Sequence, residues 1–131
     1  MSAKILLVED NEQNRYLATV ILENAGHTVI HAHTGGEALE IADREKPDLV
    51  LMDIQMPEMD GYEAAQRLKT TPGCEDVPVV AVTSYAMAGD RDKAMKLGFV
   101  GYIEKPISTD TFLNEIGQFI SPTHHENPER R

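Results

Sequence analysis

Four short apolar segments of this chain run into residues that can bind a phosphate or a metal ion. Residues 4–8 are followed by Glu9 and Asp10, residues 49–52 by Asp53, residues 79–82 by Thr83, and residues 100–103, one position later, by Lys105. If these segments are parallel strands, their carboxyl ends lie along one edge of a sheet, where open α/β folds bind ligands. Three carboxylates, a hydroxyl and an ammonium would then share one crevice.

Three neighbouring carboxylates stay ionised together only when a positive charge offsets their repulsion. A hard divalent cation suits such a cluster, and Mg²⁺ suits it best, because Mg²⁺ binds one or two carboxylates and also takes water and phosphate oxygens. Glu9 and Asp10 would hold the metal, directly or through water. Lys105 adds a positive charge on a flexible stem that can reach a phosphoryl group.

With the charges balanced, one carboxylate can act as a nucleophile toward a phosphorylated donor. Asp53 is the best candidate, because it stands alone at the end of the central strand. The Thr83 hydroxyl could then bind the new phosphoryl group. Taken singly, Asp10 could cap a helix and Asp53 could belong to a turn. The coincidence at four strand ends favours a common site.

Strand-like and helix-like segments alternate along the chain, which predicts an α/β fold with a parallel sheet. The predicted strands are residues 4–8, 28–32, 49–52, 79–82 and 100–103. The predicted helices are residues 13–25, one from a capping box at residues 34–37 to just before Pro47, 62–70, 88–97, and one that begins near Ser108 or Thr109. In the first helix, Leu17, Val20, Ile21 and Leu22 are expected to form the apolar stripe.

The length of 131 residues suits one domain, and we assign residues 1–120 to it. Residues 121–131 have no apolar period and are expected to form a disordered tail. The single cysteine, Cys74, excludes an internal disulfide and agrees with a reducing compartment. Cys74 lies in an acidic loop that should raise the pKa of its thiol, so a catalytic role is not expected.

The charge balance and the first apolar segment limit the classes of partner. Twelve basic and 22 acidic side chains give a net charge of −10, with no basic stripe, so nucleic-acid binding is not expected. The apolar segment at residues 4–8 is too short for a signal peptide or a membrane span. We therefore expect a soluble, cytoplasmic protein without a membrane partner.

From residue 4 to about residue 120, the chain resembles the receiver domain of two-component response regulators, in the CheY-like superfamily. Residues 8–11 resemble the family's acidic pair, and residues 48–57 with Asp60 and Gly61 resemble the segment around its phosphorylated aspartate. Residues 78–83 resemble the strand of its switch threonine, and residues 102–106 resemble its switch aromatic and essential lysine. The spacings agree as well, with 30 residues from Asp53 to Thr83 and 22 from Thr83 to Lys105.

This resemblance implies a flavodoxin-like, doubly wound sheet of five parallel strands in the order 2-1-3-4-5 with five helices. It implies transfer of a phosphoryl group to Asp53 from a phosphohistidine on a sensor histidine kinase or a histidine phosphotransfer protein. Mg²⁺ would be held by Asp10, Asp53 and the backbone carbonyl of Gln55, with Glu9 acting through water.

The resemblance also implies a signalling switch rather than an enzyme. Thr83 would move toward the phosphoryl oxygens and Tyr102 would rotate inward, which remodels the face of the fourth helix, fifth strand and fifth helix that controls a downstream protein. In this family the residues two after the acceptor and two after the switch threonine tune attack by water. Here they are Gln55 and Tyr85, and the bulky Tyr85 predicts slow self-dephosphorylation.

Several alternatives remain open from the sequence. Residues 81–90 resemble a stand-alone regulator of the family, but this segment, with Asn11, Asn14 and Arg15, also resembles receivers attached to hybrid histidine kinases. The chain could therefore be an excised domain, a phosphorelay intermediate or a phosphate sink. A haloacid-dehalogenase-type phosphatase would need a second aspartate where Gln55 stands. A flavodoxin would need a Ser/Thr-rich phosphate loop after the first strand, where this chain has Glu9 and Asp10.

Overall fold

Five parallel strands form one sheet in the computed structural model, which describes residues 3–54, 61–83, 89–105 and 107–120. The strands are β1 (Lys4–Val8), β2 (Thr28–Ala32), β3 (Leu49–Asp53), β4 (Val79–Thr83) and β5 (Gly101–Glu104). Their spatial order is β2-β1-β3-β4-β5, which confirms the predicted order. Because all four pairings are parallel, every strand ends at the same edge of the sheet.

Five helices connect or follow these strands, as the alternation predicts. They are α1 (Glu12–Asn24), α2 (Gly35–Glu45), α3 (Gly61–Leu68), α4 (Asp90–Lys96) and α5 (Thr109–Gly117). Three strands end one residue later than predicted, β5 at Glu104, so Asp53 and Thr83 are themselves the last residues of β3 and β4. Both residues take part in the sheet register, Asp53 opposite Val82 and Thr83 opposite Glu104. Two candidate site residues are therefore held by the sheet itself.

The central strands are covered on both faces, as apolar segments without alternation require. Every residue of β3 and of β4 is buried. Alternate residues of β1 and β3 point to opposite sides of the sheet and enter two separate clusters. One cluster contains Val50 and Met52 with the buried faces of α2 and α3, and the other contains Leu49 and Leu51 with those of α1 and α5.

Side chains at the helix starts set where α1 and α2 begin. Asn11 caps α1 by accepting the backbone N–H of Asn14 at 2.9 Å. Thr34 caps α2 by accepting the N–H of Glu37 at 3.1 Å. The reciprocal bond of the predicted capping box is absent from the described residues, because the Glu37 carboxylate accepts the backbone N–H of His33 at 2.5 Å instead. That hydrogen bond is the main reason why the pKa of Glu37 lies below its usual value.

The buried stripe of α1 differs from the predicted one. Ala18, Ile21 and Leu22 are buried, whereas Leu17 is 43% exposed and Val20 is only half-buried. Leu17 lies about a quarter of a turn from the middle of the buried stripe, so the sheet covers it incompletely. The helix ends at Asn24, and Gly26 follows it with a φ of +96°, a conformation that favours glycine.

The remaining sequence expectations have mixed outcomes. Burial, rather than the acidic loop, is the largest cause that raises the pKa of the Cys74 thiol, and the nearby Lys46 acts in the opposite direction. None of the helices in the described ranges is long and apolar enough to cross a membrane. The predicted tail, residues 121–131, lies outside the described residues and stays a prediction.

Candidate functional site

Three carboxylates meet at the carboxyl edge of the sheet, where β1 and β3 lie side by side. Glu9 and Asp10 follow β1, and Asp53 ends β3. One oxygen from each side chain lies within 4.8 Å of the other two. Glu9 and Asp53 are buried, whereas Asp10 is exposed. The parallel pairing of β1 with β3 brings these groups together across more than 40 residues of chain.

Lys105 lies between two of these carboxylates. Its ammonium nitrogen is 2.6 Å from Oε1 of Glu9 and 3.5 Å from Oδ2 of Asp53. The Lys105 side chain is only 10% exposed, so water screens these contacts weakly. The backbone N–H of Lys105 donates to the carbonyl of Thr83 at 2.8 Å, which fixes the start of the lysine stem beside β4. The ammonium therefore reaches the carboxylates from the β5 side of the sheet, opposite to the side of β1.

The charge of the cluster is suited to a divalent cation. If all four groups are ionised, three carboxylates and one ammonium leave two negative charges in excess. Oxygen ligands with an excess negative charge are the donor set that Mg²⁺ takes in proteins. Asp10 lies at the solvent-exposed side of the cluster. The residues present therefore fit Mg²⁺.

Both oxygens of the Glu9 carboxylate are engaged within the protein. Oε1 accepts from Lys105, and Oε2 accepts the backbone N–H of Asn11 at 3.1 Å. The Glu9 backbone is held as well, since its N–H donates to the carbonyl of Ala32 and its own carbonyl accepts from Nη1 of Arg15 at 2.9 Å. The contact of Arg15 was not expected, because neither residue type nor spacing indicates it in the sequence.

Gly61 allows the start of α3 to lie directly against the end of β3. A Cβ atom at this position would be 2.6 Å from Cα of Ile54 and 2.7 Å from the carbonyl oxygen of Asp53. Both neighbours are backbone atoms, so a side chain could fit only if α3 or β3 moved. The sequence indicated Gly61 only as part of the family motif, and the close approach gives the physical reason for glycine there.

The two expected switch residues lie on neighbouring strands. Thr83 at the end of β4 is fully buried, and Tyr102 on β5 pairs with Ala81 of β4. The Tyr102 ring is buried as well, and its hydroxyl has no hydrogen-bond partner among the described residues. Burial is the largest cause that raises the pKa of Tyr102 above its ordinary value. The guanidinium of Arg91 on α4 lies 5.6 Å from the ring centre, a cation–π contact that links the ring to α4.

Some residues of the predicted site lie outside the residues that the structure describes. Gln55, expected to provide a metal ligand, and Tyr85, expected to slow the loss of the phosphoryl group, both lie outside the described residues. Pro106, which follows the lysine, lies outside them too. Glu9, Asp10, Asp53 and Lys105 lie in one cluster at the predicted edge of the sheet, and Thr83 lies next to the lysine backbone. Tyr102 lies within β5, opposite Ala81.

The chain belongs to the response regulator receiver domain family, whose model matches residues 5–117. It is therefore a signalling receiver of two-component systems, with the CheY-like architecture. It is similar to the polar-differentiation response regulator DivK of Brucella ovis. The two are 40% identical over 120 residues, which cover 92% of this chain and 98% of that protein.

Two solved structures illustrate the likeness. The receiver domain of a sensor histidine kinase from Pseudomonas aeruginosa, with a magnesium ion coordinated in its active-site cleft, is 31% identical to this chain. It superposes with a TM-score of 0.84 over 92% of this chain and 98% of that one. The chemotaxis protein CheY4 of Vibrio cholerae is 26% identical, with a TM-score of 0.85 over 91% of this chain and 99% of that one.

Proposed function

We propose that Asp53 accepts a phosphoryl group from a phosphohistidine, in a reaction that requires Mg²⁺. The single observation that supports this proposal best is the cluster of three carboxylates closed by the ammonium of Lys105. The donor would be a sensor histidine kinase or a histidine phosphotransfer protein. We expect Asp10, Asp53 and the carbonyl of Gln55 to hold Mg²⁺, with Glu9 acting through water.

In the proposed step, an oxygen of the Asp53 carboxylate forms a bond to phosphorus. The bond between phosphorus and the donor imidazole breaks, and its electron pair stays on the imidazole nitrogen. Lys105 offsets the negative charge of the phosphoryl oxygens from the side of Asp53 that it already occupies. Bound Mg²⁺ would supply further positive charge to the same oxygens.

The proposed response to phosphorylation runs from Thr83 to Tyr102 and α4. The Thr83 hydroxyl would bind a phosphoryl oxygen, and the inward position of Tyr102 would be stabilised in consequence. The Tyr102 ring is buried, and phosphorylation would increase the population of the arrangement in which it packs there. The contact of Arg91 with this ring would pass the change to the face of α4, β5 and α5, where a downstream protein binds.

The acceptor is tested by incubating the protein with acetyl phosphate and Mg²⁺ and measuring its mass. The wild type should gain one phosphoryl group, and Asp53→Asn should gain none. Asp110→Asn, which alters an exposed aspartate at the start of α5, is the matched control and should react as the wild type does. Equal uptake by Asp53→Asn would reject Asp53 as the acceptor.

A relay or phosphate sink is a second candidate, and the likeness to the receiver domain of a sensor histidine kinase favours it. The two candidates differ in whether phosphorylation changes the output face. We expect beryllofluoride with Mg²⁺ to shift the NMR signals of Tyr102 and of α4 if the protein is a switch. Signals that stay in place there, while those around Asp53 move, would support the sink.

The proposal includes the cytoplasm as the compartment and proteins as the only partners. It also includes slow loss of the phosphoryl group, because the bulky Tyr85 is expected to restrict the approach of water to Asp53. Phosphorylated protein, followed by mass after the donor is removed, should persist for much longer in the wild type than in Tyr85→Ala. Equal lifetimes would reject the role of Tyr85.

A further inference from the structure

Arg15 makes a contact that helix formation does not explain. It lies in the first turn and a half of α1, where the helix dipole does not favour a positive charge. Its guanidinium reaches back to the end of β1, where Nη1 donates to the carbonyl of Glu9 at 2.9 Å. Within the described ranges, no carboxylate oxygen forms an ion pair with it. The directed contact of Arg15 is therefore with a backbone carbonyl.

That carbonyl belongs to the peptide unit that joins the two acids at the site. A peptide unit is planar, so a hydrogen bond to its oxygen limits rotation of the whole unit. The directions in which the side chains of Glu9 and Asp10 leave the backbone depend on that rotation. Arg15 can therefore set the relative orientation of the two carboxylates without touching either of them.

The position of the Asp10 carboxylate depends on the local backbone more than that of the Glu9 carboxylate does. The Glu9 carboxylate is held directly by Lys105 and by the N–H of Asn11. No side-chain hydrogen bond or ion pair of the Asp10 carboxylate is found in the part of the chain that the structure describes. The oxygen of Asp10 nevertheless lies within 4.8 Å of one from Asp53. Its place in the cluster therefore depends on the peptide unit to which Arg15 donates.

The backbone of Arg15 is itself fixed on two sides. Its N–H donates to the carbonyl of Asn11 at 3.0 Å, and its carbonyl accepts from Oγ1 of Thr19 at 2.7 Å. The same hydroxyl lies 2.9 Å from Nε2 of His31 on β2. The guanidinium therefore extends from an anchored turn of α1, which a positioning role requires.

We propose that Arg15 is a positioning residue, which orients the peptide unit between Glu9 and Asp10 so that Asp10 can hold Mg²⁺ beside Asp53. This role rests on the proposed Mg²⁺ site. Charge and geometry make opposite predictions for the loss of Arg15. Removal of a nearby positive charge should by itself strengthen cation binding, whereas loss of the positioning contact should weaken it.

The test is isothermal titration of the metal-free protein with MgCl₂. Arg15→Met should raise the dissociation constant of Mg²⁺ about tenfold, the usual lower range for loss of a group that orients a metal ligand. Arg15→Lys keeps the positive charge and one possible hydrogen-bond donor. Its dissociation constant for Mg²⁺ should therefore lie between those of the wild type and of Arg15→Met. Arg44→Met, in the last turn of α2, is the matched loss of an arginine and should bind Mg²⁺ as the wild type does.

Two measurements without metal separate positioning from general damage. The carbonyl ¹³C NMR signal of Glu9 should shift in Arg15→Met, while the melting temperature of the metal-free protein should stay close to that of the wild type. Unchanged or tighter Mg²⁺ binding in Arg15→Met overturns the role, and so does a weakening that merely follows a lowered melting temperature and is not relieved in Arg15→Lys. A wild type that binds no Mg²⁺ instead rejects the proposed function, and this role with it.

Discussion

The carboxyl edge of the sheet and the outer surface of the helices use the same kinds of charged side chain in different ways. At the edge, Lys105 and Glu9 are in contact at 2.6 Å with side chains that are 10% and 5% exposed. On the outer surface of α3, Arg67 and Glu63 are in contact at 2.9 Å with side chains that are 58% and 51% exposed. The geometry of the two pairs is similar, but their surroundings are not.

This difference determines what each pair can do. Water and salt screen the exposed pair, which contributes little to stability. At the edge the buried carboxylates depend on the ammonium, so removal of Lys105 leaves Glu9 and Asp53 as uncompensated charges in a poorly hydrated place. A site that concentrates buried charge is sensitive to any group that enters or leaves it. That sensitivity is what a switch driven by a phosphoryl group requires.

The largest expected effect comes from Lys105→Met, which leaves Glu9 and Asp53 buried without their ammonium. We expect the free energy of unfolding in metal-free buffer to fall by about 3 kcal/mol. Urea denaturation followed by circular dichroism measures it. The double variant Lys105→Met with Glu9→Gln should recover much of the loss. A change below about 0.5 kcal/mol, the range of exposed pairs, would contradict the distinction between the two regions.

The second largest effect is expected from a substitution of Gly61, where α3 begins against the end of β3. Gly61→Ala places a Cβ atom against backbone atoms of Asp53 and Ile54 and should lower the free energy of unfolding by about 2 kcal/mol. Gly36→Ala on α2 is the matched control, because nothing lies within 4 Å of its added Cβ. That variant should be stabilised by up to about 1 kcal/mol. Similar effects at the two glycines would show that α3 does not press on β3 as described.

Loss of a buried hydroxyl on β5 should change the free energy of unfolding in the opposite direction. The Tyr102 hydroxyl is buried without a partner among the described residues, so Tyr102→Phe should raise the free energy of unfolding by about 1 kcal/mol. Tyr16→Phe on α1, where the side chain is 72% exposed, should change nothing measurable. Destabilisation by Tyr102→Phe would mean that the hydroxyl has a partner after all.

On the outer side, His31 predicts a weak dependence of stability on pH. Partial loss of hydration is the largest cause that lowers its pKa below the usual 6.5, followed by the positive charge of Arg15, so the unfolded chain binds the proton more readily than the folded one. The associated stability is present above pH 6.5 and is lost as the pH falls through the folded pKa. Between pH 7.5 and 5.5, the urea midpoint should fall more steeply for the wild type than for His31→Gln. Parallel slopes would contradict the shift.

The smallest effect should come from the exposed pair. Arg67→Met removes the contact with Glu63 and should lower the free energy of unfolding by no more than about 0.5 kcal/mol. Raising the salt concentration should shrink even this difference, because screening already weakens the pair in the wild type. A loss comparable with that of Lys105→Met would mean that exposure does not separate the two regions.

Much of the fold was predictable because its signals are local. The unbroken apolar segment that ends at Asp53 indicated a strand covered on both faces, and Thr34 before α2 indicated a helix cap. The prediction that Leu17 belongs to the buried stripe of α1 was wrong, because the rotation of a helix against a sheet depends on the partner surface and not on the helix alone. The half-formed capping box has a similar cause, since His33 competes for the Glu37 carboxylate.

The candidate site, like the fold, has features that the sequence predicts and features that only the tertiary structure decides. The sequence by itself determined which groups meet, because parallel strands of similar length bring Glu9, Asp53 and Lys105 to one edge whatever the details of packing. Only the tertiary structure decided which of them are paired. Lys105 lies closer to Glu9, 96 residues away, than to Asp53, and Arg15 holds a backbone carbonyl rather than a carboxylate. Such choices depend on differences of about an ångström between groups that are remote in the chain, and no local pattern of residues encodes them.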